Sequence, residues 1–153
     1  MEQFYYKDTV MVENTDADCH SLLKASALLR YAEQATSMHA RQFGMDDQFF
    51  ADHGVAFLVG KQALRFSRVP SRDETLTLCS RAEVIRRGSI KRVTTLTDEA
   101  GQEVAMVDSR WIMSSLEDGH ILRQPGWTKE GYWNETVEGE LPLSLHKRRD
   151  SLT

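Results

Sequence analysis

Two different periods of hydrophobic and polar residues divide the chain. Residues 4–13 (FYYKDTVMVE) are rich in aromatic and β-branched types and end at the polar run Asn14-Thr15-Asp16, which predicts a strand leading into a turn. The period then changes. From about Ser26 to Phe43, Leu28, Ala32, Ala35 and His39 recur at i, i+4, i+7 and i+11, so they share one face of a helix. Ser26 is the expected N-cap of that helix and Gly44 its expected stop. Alanines in the stripe leave room for close approach, so the helix is expected to lie buried against a sheet. After a short connecting segment over 46–54, four more strands are expected, at roughly 55–67, 74–87, 89–98 and 103–115. They are separated by turn residues at Pro70-Ser71, Gly88-Ser89 and Asp98-Glu99-Ala100-Gly101. In Thr75-Leu76-Thr77-Leu78 the apolar residues alternate with polar ones, as in a strand with one face on the core. Strands joined by tight turns are antiparallel. Beyond Gln124 the pattern becomes irregular, with Pro125, Gly126, Gly131 and Gly139 and a basic run from His146 to Arg149. One domain over 1–124 and an irregular tail over 125–153 follow from this pattern.

Composition narrows the class. At 153 residues, 41% hydrophobic and 27% charged, the chain can bury a core without disulfides or a structural metal. The formal charge of −4 argues against nonspecific nucleic-acid binding, which depends on neutralising phosphates. The N-terminus lacks the basic start and apolar run of a secretion signal, and no stretch approaches the roughly 18 apolar residues of a membrane span. Cys19 and Cys79 form no C-x-x-C pair, which suits reduced thiols and a cytoplasmic location. The five histidines make no H-x-x-x-H pair, and neither a phosphate-binding glycine loop nor a G-x-S-x-G elbow is present. No metal and no cofactor are expected.

One long helix wrapped by an antiparallel sheet, with an Asp-rich turn before the helix, resembles the hotdog fold, an α+β architecture. The run Asn14-Thr15-Asp16-Ala17-Asp18-Cys19-His20, followed by Ser26-Ala27-Leu28-Leu29-Arg30-Tyr31, resembles the D-x-D turn and helix start of hydroxybenzoyl-CoA-type and acyl-acyl-carrier-protein (acyl-ACP) thioesterases. Glu33-Gln34-Ala35, Met38-His39-Ala40, Phe43-Gly44 and Arg68-Val69-Pro70 with Glu74 are similar to segments of the acyl-ACP group. So is Ser109-Arg110-Trp111-Ile112-Met113 ahead of Gly119-His120-Ile121-Leu122-Arg123. The likeness spans about residues 4–124. It implies hydrolysis of acyl thioesters of fatty or polyketide type, carried by coenzyme A or by acyl-carrier protein. Plant-type members carry two repeats where this chain has room for one, so the resemblance also implies a homodimer or a dimer of dimers.

Thioester hydrolysis needs a carboxylate to attack or to deprotonate water, and donors for the oxygen that gains charge. The leaving thiol, with a pKa near about 8.5, needs little acid assistance. The resemblance implies that Asp18, the second Asp of the D-x-D turn, is the nucleophile or base. The same residue read locally is an Asx-turn whose carboxylate holds backbone N–H groups. Counting from Asp18, the family's D-x-N-x-H places His20 at the Asn position and Leu22 at the His position, and no Asp or Glu occurs between His53 and Arg72. His20 is therefore a candidate base in its own right. Glu33 is the second candidate acid, in Tyr31-Ala32-Glu33-Gln34-Ala35-Thr36-Ser37, which resembles the helix from which another hotdog branch supplies its carboxylate. Its alternative is a solvated helix face. His39, on the apolar stripe, reads as a core histidine. Backbone amides near Ser26 or around Gly60 are the expected oxyanion donors. Arg86 and Arg87, with Lys91 and Arg92 across the Gly88-Ser89 turn, are the densest basic cluster to meet an anionic carrier, or else simply a charged hairpin tip. Two other activities stay open: a non-catalytic acyl-binding or oligomerisation module, and a hotdog hydroxyacyl dehydratase using Asp18 with His20.

Overall fold

The structure, a computed structural model, describes residues 5–86 and 89–122. The tail over 125–153 lies outside the described residues. Five strands form one antiparallel sheet: β1 (Tyr5–Met11), β2 (Val55–Phe66), β3 (Thr75–Arg86), β4 (Ser89–Thr97) and β5 (Glu103–Ser115), in the order β1-β3-β4-β5-β2. Helix α1 (Ala25–Gln42) packs on β1, β3 and β5. This is the α+β hotdog arrangement of a long helix held against a curved antiparallel sheet.

The stripe Leu28, Ala32, Ala35 and His39 is buried, each residue at 2% exposure or less. Leu28, Ala32 and Ala35 share the main core with Leu76 and Leu78 of β3, Leu96 of β4 and Val107 of β5. On β3 the inward positions are Leu76, Leu78, Ser80 and Ala82, as a period of two requires. β4 and β5 depart from simple alternation, because Val93 and Met106 form a second buried cluster with Ala63 on the opposite side of the sheet from the Arg92 and Leu96 positions.

The helix ends differ from expectation at one terminus only. Lys24, not Ser26, is the N-cap residue, its N–H donating to the Asp16 carbonyl at 2.9 Å, so Ser26 is the exposed second residue of the helix. At the other end Gly44, at φ +75°, donates to Arg41 O while Met45 N donates to Ala40 O, both at 2.9 Å. That is a Schellman stop, with Met45 and Ala40 sharing a buried cluster. The segment read as a plain connection contains a short helix, α2 (Asp47–Asp52), capped by the Asp46 carboxylate accepting from Phe49 N at 2.9 Å. Among the described residues no helix is long and apolar enough to cross a membrane.

Candidate functional site

The turn before α1 is built on Asp16. Its carboxylate is buried, accepts the Tyr31 hydroxyl at 2.6 Å and pairs with Arg30, and its backbone carbonyl takes the Lys24 N–H. Burial pushes the Asp16 carboxyl up, but the bonds from Tyr31 and Arg30 outweigh it and hold it below the usual carboxylate value. The Tyr31 hydroxyl is pushed up, by burial first and by Asp16 second.

Asp18 lies two residues on and is exposed. Its Oδ1 accepts the backbone N–H of His20 at 2.8 Å and of Leu22 at 3.1 Å, and those bonds, the Leu22 bond foremost, hold its carboxyl low. A carboxylate stabilised in this way is a weaker base than a free one. His20 is exposed beside it.

A concavity lined largely by apolar side chains lies at the other end of α1. A partly open cavity of about 340 Å³ lies where α1 (Thr36, Ser37, Ala40, Arg41) meets Met45, Asp46, Asp47 and Phe50 of the α2 region. Val55 and Phe57 of β2, Ile90 and Arg92 of β4, and Trp111 of β5 are among the residues that line its other walls. Its size is at the small end of the roughly 300–1,000 Å³ usual for small-ligand sites. Aromatic contacts stiffen the α2 wall, with Phe50 edge-on to Phe57 at 4.9 Å and to Phe49 at 5.7 Å between ring centroids. Ser37, Arg41 and Trp111 also line an adjoining groove along the exposed side of α1, together with Glu33, Gln34 and Met38. Arg41 is exposed and borders a third concavity with Asp46 and Asp47.

The expected site residues are thus separated. Glu33 borders the groove that joins the cavity. Asp18, His20, Ser26 and Gly60 line neither. Gly60 is at a register shift between β2 and β5, where an added Cβ would stand 3.1 Å from the tip of the Ile112 side chain. Arg86 ends β3, and Arg87 lies outside the described residues. Sequence reasoning missed Arg41 as a rim residue and Arg92 as a cavity residue. Arg41 follows the apolar stripe at an exposed position with no periodicity to mark it, whereas Arg92 is a charged residue on the inner face of a strand, which the alternation around Ile90 and Thr94 would have flagged. Among the described residues no group of three or more His, Cys, Asp or Glu side chains comes together as a metal site.

The family described as the acyl-ACP thioesterase N-terminal domain matches residues 3–125. No curated protein matches the chain. Among solved structures, one described as an oleoyl thioesterase from Lactobacillus plantarum superposes with a TM-score of 0.80 at 21% identity, over 92% of this chain and 56% of that one. An acyl-ACP thioesterase from Bacteroides thetaiotaomicron gives 0.79 at 17%, over 90% and 57%. A 12:0-ACP thioesterase from Umbellularia californica gives 0.73 at 14%, over 82% and 51%. The chain therefore spans just over half the length of these relatives.

Proposed function

The chain belongs to the acyl-ACP thioesterase N-terminal domain family, and from that premise we infer that it acts on acyl thioesters, holding the acyl chain in the cavity between α1, α2 and the sheet. The observation that carries this reading is the joining of a mostly apolar cavity to an open groove at Ser37, Arg41 and Trp111. The acyl chain occupies the first and the carrier arm leaves by the second, so the thioester sits at the junction. Glu33 on the groove then serves as the base. It takes a proton from water, the water oxygen adds to the thioester carbonyl, and the C–S bond breaks to release a thiolate that is protonated by solvent. Arg41 at the rim meets the phosphates of coenzyme A or the acidic surface of a carrier protein.

Asp18 acts in this scheme only if a second subunit brings a cleft to its turn. Sheet edge β2 suits such a partner, because residues 58–61 are exposed in succession, with Leu58 at 55%. A second reading, acyl binding without turnover, is favoured by Leu22 in place of a histidine and by the bonding of Asp18 to backbone amides. Thiol release from a panel of acyl-CoA and acyl-ACP substrates separates the readings. Release is expected; saturable binding without release would leave the binding module, and double-bond formation would make it a dehydratase. Glu33→Gln is expected to lower kcat by about 10²-fold or more and Asp18→Asn by less. The opposite ranking would move the base to Asp18.

A further inference from the structure

The face of the sheet away from α1 has a buried centre. Val93 and Met106 are each 4% exposed there, with Asp108 at 0% and Lys91 at 8%. The register sets them side by side on β4 and β5, Val93 opposite Asp108 and Met106 opposite Thr95. One face of an antiparallel sheet commonly meets water, and both described helices pack on the opposite face, α1 in the main core and α2 against the cluster of Met113, Val55 and Ile90. Arg65 and Arg81, which the register sets opposite Met106 and Val93, are exposed, so their stems do not supply the cover. Burial of this depth within a single chain therefore calls for a cover from residues outside the described ones. Residues 1–4 and 87–88 are too few to close over it.

The residues after Leu122 have the reach and the chemistry for it. Leu122 N donates to Met113 O at 2.9 Å, which hands the chain on beside β5. Ten extended residues reach about 33 Å, whereas five strands side by side span about 20 Å. The face also selects by charge. Exposed Lys61 joins Arg65 and Arg81 around the buried centre. From Glu130 to Leu145 the sequence carries four glutamates, Glu130, Glu135, Glu138 and Glu140, and neither Lys nor Arg. Trp127, Tyr132 and Trp133 in the same region offer large apolar surface for Val93 and Met106. A second copy of this face would instead set cations against cations. We propose that residues 125–145 cross the outer face of the sheet as a strap, with aromatic side chains on Val93 and Met106 and glutamates against the cations of β2 and β3. The proposal is independent of where the acyl chain binds.

Trypsin cleavage after Lys129 in the full chain tests it, with a synthetic peptide of residues 123–145 as the uncovered reference. The wild-type chain is expected to be cut at least about tenfold more slowly than the peptide, since cleavage follows the population of the opened form. Arg65→Glu combined with Arg81→Glu is expected to return most of that factor while the far-ultraviolet circular dichroism stays native. Cleavage of the wild type at the peptide's rate overturns the proposal, as does protection that both reversals leave unchanged. Protection that is lost on dilution would assign the face to a second copy and overturns it as well. Should the double variant not fold, Glu135→Gln with Glu138→Gln, on the segment itself, makes the same comparison with the same expected acceleration.

Discussion

At the residue scale, Asp16 and Asp18 are two residues apart in one turn and have opposite environments. Asp16 is enclosed by Tyr31 and Arg30, whereas Asp18 is exposed and bonded to backbone amides. Folding lowers the Asp16 pKa below its ordinary value of 3.8, so the unfolded chain binds that proton more readily than the folded one. Its stabilisation is therefore complete above that ordinary value and is lost as pH falls through the depressed folded value. Asp16→Asn should cost about 1–3 kcal/mol near neutrality. In urea denaturation the gap from wild type should close in strong acid; a gap that stays constant would show that Asp16 does not carry this pH dependence. The D-x-D pattern made both acids visible in the sequence. It could not tell which of them is enclosed, because Tyr31 and Arg30 reach Asp16 from a full helical turn beyond the start of α1.

At the element scale, the stripe of alanines lets α1 sit close to the sheet. Ala35 is 2% exposed within the main core. Ala35→Leu should overpack that contact and cost about 1–3 kcal/mol, read as a lower urea midpoint with unchanged m-value; a neutral result would mean the helix stands off the sheet. The strands were legible because turn residues punctuate a period of two, and α1 because its apolar period runs three turns unbroken. Helix α2 was not, since six residues are too few for a period to declare itself. Its only mark was Asp46, a capping acid three residues before Phe49. The helix start was misread for a related reason: Ser26 is a good capping type, but the long-range bond from Lys24 N to Asp16 O sets the first turn earlier.

At the scale of the whole molecule, the cavity was beyond sequence reading, because it draws on α1, α2, β2, β4 and β5, and only the sheet order β1-β3-β4-β5-β2 brings these together. The same order leaves β2 at an edge with Leu58 exposed. A second copy is expected to pair there, so sedimentation should give a dimer that Leu58→Lys weakens at least about tenfold; a monomer at all concentrations would confine the site to one chain. The most direct test of the central claim is photolabelling with an acyl-CoA whose chain ends in a diazirine, followed by peptide mapping. Saturable label on the Ala40, Phe50 and Ile90 peptides, displaced by unlabelled acyl-CoA, is the expected result. Label confined to the Asp18 turn, or none that saturates, would contradict the placing of the acyl chain between α1, α2 and the sheet.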